Sequence, residues 1–446
     1  PNKNASRYIC RVTDRENLEA SNALFAEFVE EVHRRGMKVI LDGVFNHCGS
    51  FNKWLDRECI YQDAEGYEKG AFVSEDSPYR SFFKFREEMW PYNTHYDGWW
   101  GHDTLPKLNY EESPMLFNYI MHVGKKWVSP PYNVDGWRLD VAADLGQTGE
   151  YNHYFWKEFR RNVKEANPNA IVLAEHYGDP TEWLKGDQWD TVMNYDAFME
   201  PLTWFLTGVE KHSDEYRGDM RGNADAFFGS MRHYMTRFHT QSLQVAMNEL
   251  SNHDHSRFLT RTNHEVGRTV SRGPEAANQG VDRSIFRQAV LIQMTWPGAP
   301  TIYYGDEAGL CGWTDPDNRR AYPWGHEDRE LIQYHKELIR IHKDYQVFRT
   351  GSIMFLHGEY QVISYGRFDD RDKVIVVINS SNETKNIDIP AWRIGMVNHN
   401  RMARLLLTDR DGYSKETKLY LLDNGILHLE CPPSSGILIK DIGNIS

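Results

Sequence analysis

The 446-residue sequence predicts an α/β fold: a (β/α)8 TIM-type barrel followed by a C-terminal antiparallel β-sandwich. Three observations predict it. Strand-like and helix-like segments alternate over residues 16–343, as parallel strands joined by crossover helices do. Titratable residues stand at the carboxyl ends of five of those strands, where such barrels gather their chemistry. After Gly351 the alternation gives way to short strands separated by turn residues, the pattern of a small sandwich. A doubly wound sheet is the alternative for the first part, but it would not need so many strand ends at one site.

Taken in order, residues 16–34 place Leu18, Leu24, Phe25, Phe28, Val29 and Val32 on a helical period, and Gly36 supplies the stop. Residues 38–42 read as a parallel strand covered on both faces, which delivers Gly43 to His47 at its end. Residues 49–110 have no clean period and carry Trp54, Trp90, Trp99 and Trp100. A stretch of that length inside a compact domain reads as an inserted domain walling a site. For Trp99 and Trp100, sugar contact and internal packing stand as equal readings.

A helix over 114–126 precedes the strand at 134–141, and a helix over 151–166 precedes the strand at 170–175. After a short helix comes the strand 191–195; segments 243–248 and 250–254 then bring a further acid to a strand end. Residues 285–295 read as helix, 300–305 as strand and 330–343 as helix. Later strands are expected at 362–365, 374–378, 419–422 and 436–439. The implied division is barrel 1–48, inserted domain B 49–110, barrel 111–350 and sandwich 351–446. About six barrel strands are found where closure needs eight. The N-terminal strands are therefore expected to lie ahead of Pro1 in the native product or to come from a separate fragment.

Composition narrows the function. A formal charge of -13 with no basic stripe excludes a nucleic-acid or anionic-membrane partner. No window reaches the length of a membrane span, and the first residues lack a basic region followed by an apolar run. Five cysteines, odd in number and in no Cys-x-x-Cys pair, point to a reduced, cytoplasmic setting. An aromatic content of 13% suits flat sugar faces, although core packing must account for most of these rings.

The chemistry centres on residues 134–141. Strand alternation puts Trp137 and Leu139 on one face, Arg138 and Asp140 on the other. An arginine so placed keeps Asp140 ionised, the state a glycosidic nucleophile needs. The plainer reading of this segment alone is a core strand with an incidental salt bridge. Glu175 follows four apolar residues with no cation adjacent in sequence, so desolvation and nearby carboxylates would raise its pKa and suit it as general acid and base. Asp254, beside His253, would hold sugar hydroxyls and favour an oxocarbenium-like state. Zinc binding by His47, Cys48 and Cys59 lacks a fourth ligand at suitable spacing.

Four motifs now stand in order: Asp42-Gly43-Val44-Phe45-Asn46-His47, Gly136-Trp137-Arg138-Leu139-Asp140, Ala174-Glu175 and Asn252-His253-Asp254. With them the sequence resembles the α-amylase family of retaining glycoside hydrolases. Leu105-Pro106-Lys107-Leu108-Asn109, Gly305-Asp306-Glu307 and the run from Thr314 to Arg320 resemble its neopullulanase, cyclomaltodextrinase and maltogenic amylase branch, Leu105 replacing the expected Met.

The resemblance implies hydrolysis of α-1,4 links, with α-1,6 links an open addition, in maltooligosaccharides, pullulan or cyclodextrins through a covalent glucosyl-enzyme. It assigns catalysis to Asp140, Glu175 and Asp254, the sugar beside the cleaved bond to His47, Arg138 and His253, and a remoter glucose to Asp315 and Arg319. His176 departs from the expected aromatic or aliphatic residue, which leaves the balance of hydrolysis and transfer open. No cofactor is required; Asn46 is a calcium ligand in typical α-amylases, but the visible residues do not support calcium here. The partner implied is an α-glucan oligosaccharide, with a homodimer or a barrel-completing fragment as further alternatives. A transglycosylase on the same scaffold and a non-catalytic binding protein are the competing functions.

Overall fold

The structure is a computed structural model and describes residues 12–397 and 400–444. The described chain forms two compact units: one runs to His176 and includes Pro180–Val192, the other comprises Tyr177–Asp179 and the chain from Met193 onward. No helix among the described residues is long and apolar enough to cross a membrane.

The first unit is built on four short parallel strands, β1 (Ile40–Gly43), β2 (Gly136–Leu139), β3 (Ile171–Ala174) and β4 (Thr191–Val192), in that spatial order. Its register sets Asp42 beside Arg138 and Leu139 beside Ala174, so the strand ends lie level with one another. Gly136 is required where β2 begins: a Cβ there would sit 2.3 Å from the Ile171 carbonyl oxygen. Helices Pro114–Trp127 and Gly149–Ala166 flank the sheet, the second burying Phe155, Trp156, Phe159 and Val163. Asp135, in the turn before β2, accepts from Val39 N and pairs with Lys38 and His33, tying the preceding helix to the sheet.

Two expectations for this unit are corrected. Strand β1 is not covered on both faces: it is an edge strand among those described, and Ile40 is 48% exposed. The helix expected over 16–34 is present as Arg15–Arg34; only Val29 and Val32 on it are buried, while Leu24 and Phe28 face solvent. The short helix expected before β4 is a series of turns closed by Trp183 stacked on Trp189 at 4.8 Å. Residues 49–110 contain no named α-helix or strand; buried Leu55, Ala71, Phe82, Phe83 and Tyr96 hold them together.

The second unit pairs β5 (Met247–Glu249) with β6 (Ala299–Thr301) in parallel, and Met193 extends the ladder through Met247. Both strands are shorter than expected. Residues Thr240–Gln244 are helical, the chain leaves β5 before Leu250, and after Thr301 it passes into turns. Asp254 therefore stands in a loop five residues past β5 rather than at a strand end.

Beyond Gly351 lie β7 (Ser352–Glu359), β8 (Val362–Phe368), β9 (Lys373–Asn379), β10 (Lys385–Pro390), β11 (Asn400–Asp409), β12 (Gly412–Ser414), β13 (Leu419–Leu421), β14 (Ile426–Cys431) and β15 (Ser435–Asn444). Seven form an antiparallel sheet in the order β12-β11-β15-β9-β8-β7, with β13 also on β11; β10 and β14 pair separately. Strand β9 serves two cores by alternation. Val374, Val376 and Ile378 pack with Phe286, Val290 and Leu291 of the helix Arg283–Thr295, whereas Ile375 and Val377 pack with Ile387, Leu427 and Leu429.

Candidate active site

In the first unit, β2 supplies Arg138 within the strand and Asp140 just beyond it, while β3 ends one residue before Glu175. Arg138 Nη1 donates to Asp42 Oδ1 at 2.7 Å and Asp140 Oδ1 at 2.8 Å; Nη2 donates to Glu175 Oε2 at 2.8 Å. One guanidinium thus spans carboxylates delivered by three neighbouring strands. Val141, in the left-handed region at φ +36°, turns its own N–H onto the same Glu175 oxygen at 3.1 Å.

No cation adjoins Glu175 in sequence, but one reaches it in space. Its partner is distant in sequence but sits on the adjoining strand, which only the sheet register reveals. With side chains 12% and 6% exposed, Arg138 and Glu175 meet in a nearly dry setting. At Arg138 burial acts to lower the pKa, and the carboxylates of Glu175, Asp42 and Asp140 outweigh it, so the net direction is upward.

His47 follows β1 and bridges to Lys107 of the insertion. The Asn46 amide donates to its Nδ1 at 3.2 Å, and its ring lies flat against Trp99 at 5.1 Å and 9°. Trp99 Nε1 in turn donates to Asp144 Oδ2 at 2.9 Å. Burial lowers the His47 pKa against the opposing charge of Asp140, which favours a neutral imidazole. His176 packs against Trp183 and Trp189.

The remaining four candidates, His253, Asp254, Asp315 and Arg319, gather in the second unit. His253 Nε2 lies 3.4 Å from Asp254 Oδ2; Arg319 Nη2 lies 3.8 Å from Asp254 Oδ1, and its Nε pairs with Asp315 Oδ1 at 2.5 Å while donating to the His253 carbonyl at 3.1 Å. Asn252 accepts from Asp254 N and His255 N, and Asn318 donates to the carbonyls of Asn252 and His255. Beneath them Arg257 is fully buried against Asp306 at 2.8 Å. The side chain of Asp254 is 37% exposed, so this cluster is wetter than the one around Arg138.

Sequence reasoning missed the roles of Asn318 and Arg257, although Asn318 lies inside a motif singled out above, and it left the packing of Trp99, seen here against His47, as one of two readings. The Asp306 carboxyl is pushed up by burial, with Arg257 opposing. As to metals, one group among the described residues brings ligand atoms together: Glu210, His212 and Asp214, all within 4.8 Å. These already engage each other and their neighbours, Glu210 with His212 and Asp214 with Arg268.

Comparison with known proteins decides the lineage. The family described as the alpha amylase catalytic domain matches residues 20–351. This chain belongs to the α-amylase family. Neopullulanase 2 of Thermoactinomyces vulgaris is 34% identical over 367 residues, covering 81% of this chain and 55% of that protein. A cyclomaltodextrinase of Geobacillus thermopakistaniensis is 32% identical, covering 84% and 57%. The chain thus spans about half the length of these α-amylase family relatives. Among solved structures, a debranching enzyme of Nostoc punctiforme superposes with a TM-score of 0.73 at 28% identity, covering 94% of this chain and 79% of that one. The matched structures carry the barrel fold of family glycosidases, and the C-terminal antiparallel sheet is present here.

Proposed function

We propose that the protein hydrolyses α-1,4-glucosidic bonds, with α-1,6 bonds as a second specificity, in maltooligosaccharides, pullulan or cyclodextrins, with retention at the anomeric carbon. The observation that carries this reading is the single Arg138 guanidinium shared by Asp140 and Glu175 on adjacent strands. Retaining cleavage needs a nucleophilic carboxylate and a carboxylic acid roughly 5 to 5.5 Å apart. Asp140 would attack the anomeric carbon while Glu175 gives its proton to the departing glycosidic oxygen. Water deprotonated by Glu175 would then displace Asp140 and restore both groups. His47 and His253 would hold hydroxyls of the sugar at the cleaved bond, Asp254 would favour the oxocarbenium-like state, and Asp315 with Arg319 would take a remoter ring.

The names neopullulanase and cyclomaltodextrinase borne by the relatives support this substrate class. The domain reading is a barrel interrupted by domain B at 49–110 and followed by a sandwich from 351. Solvent-facing Ile40 on β1, with Leu24 and Phe28 on the helix before it, supports further strands adding at that edge, whether carried by this polypeptide, a separate fragment or a dimer partner. The free thiols Cys48, Cys59, Cys311 and Cys431 support a reducing, cytoplasmic location.

The test is Asp140→Asn assayed on maltotriose, pullulan and β-cyclodextrin. Turnover should fall by ~10⁴-fold or more with the circular dichroism spectrum unchanged. Undiminished turnover rejects the reading, and product analysis at high maltotriose separates hydrolysis from transfer.

A further inference from the structure

Trp100 is a large apolar side chain left 82% exposed in the first unit. An exposed indole on a held backbone presents a flat apolar face to a ligand. The backbone here is firmly held. Gly101 N donates to Gly98 O, His102 N to Trp99 O, and Trp99 N to Leu105 O, which closes a tight turn whose apex is Trp100 at φ +50°. Gly98 cannot carry a side chain, because its Cβ would lie 2.1 Å from the His102 carbonyl oxygen.

The turn borders a cavity of about 400 Å³, within the ~300–1,000 Å³ range of small-molecule sites, lined by Trp99, Trp100, Lys107, Asp144, Gln147 and Thr148. Trp99 is committed to His47 and Asp144, whereas the second carboxylate oxygen of Asp144 and the side-chain amide of Gln147 have no hydrogen-bond partner among the described residues. A flat apolar ring, a carboxylate oxygen and an amide on one rim match a pyranose, with its apolar face and its paired equatorial hydroxyls. The rim is continuous with His47 through Trp99.

We propose that Trp100, with Asp144 and Gln147, forms a glucosyl subsite that grips an α-glucan ring beyond the one bound at His47. The proposal rests on the α-glucan reading above. It makes Trp100 a determinant of chain-length preference: short substrates do not reach it and longer ones stack on it.

Steady-state kinetics of Trp100→Ala and Trp100→Phe on maltoheptaose and maltotriose test this. Trp100→Ala should raise KM for maltoheptaose about tenfold, one lost aromatic contact of ~1.4 kcal/mol, and Trp100→Phe should recover most of that. A KM for maltoheptaose within about twofold of wild type overturns the subsite, as does a parallel loss of kcat on both substrates with a lowered Tm. If the wild type turns over no α-glucan, the catalytic reading fails. Maltoheptaose titration followed by tryptophan fluorescence then decides the subsite on its own. A response in wild type that Trp100→Ala abolishes supports it, and no response in wild type overturns it.

Discussion

The two groups of candidate residues use the same chemistry in opposite surroundings. Around Arg138, three carboxylates converge on one nearly buried guanidinium held by strand register. Around Asp254, two carboxylates, an arginine and a histidine from two separate chain segments lie half in water, and the buried polar residues sit beneath them as scaffold. Apart from Asp42, whose side chain is half exposed, the first cluster is nearly cut off from water, so Arg138, Asp140 and Glu175 must balance one another. A solvated cluster can lose a member at little cost to the fold.

This contrast breaks most sharply at Arg138. Arg138→Met should leave Asp140 and Glu175 facing each other without a cation, costing about 3–5 kcal/mol by chemical denaturation and abolishing turnover. A loss below about 1 kcal/mol would mean the first cluster is as wet as the second. Arg319→Ala should cost no more than about 1 kcal/mol, the scale of an exposed pair, while raising KM for longer maltooligosaccharides more than it lowers kcat. The smallest effect is a pH difference between the clusters. Burial holds the folded-state pKa of His47 below its ordinary value of 6.5, so below pH 6.5 the unfolded chain takes up the proton first. Stability from this source is present above pH 6.5 and lost as the pH falls toward the folded-state value. Tm between pH 7 and 5 should therefore decline less for His47→Gln than for wild type, and parallel curves would remove His47 from the buried group.

The parts legible in the sequence are those whose signal is local. Parallel strands of four apolar residues ending in a polar one, such as Ile171–Ala174 before Glu175, declare themselves, as does the amphipathic helix Gly149–Ala166. What was missed depends on partners far along the chain. The Arg138 contact to Glu175 exists only because β2 and β3 adjoin. Strand β10 escaped notice because it buries just Ile387 and Ile389 between polar residues, and β11 because its start, Asn400-Arg401, is polar. The apolar positions Leu24 and Phe28 were correctly placed on a helix, but periodicity reports a face and not what covers it.

Val141 closes the account of the acid. A β-branched residue rarely adopts the left-handed region, and holding it there costs on the order of 1–3 kcal/mol. In return its peptide N–H is aimed at the Glu175 carboxyl. Glycine at this position would relax the kink and loosen the Glu175 carboxyl that the peptide N–H steadies. Backbone strain and the orientation of one carboxyl are set against each other at a single peptide bond.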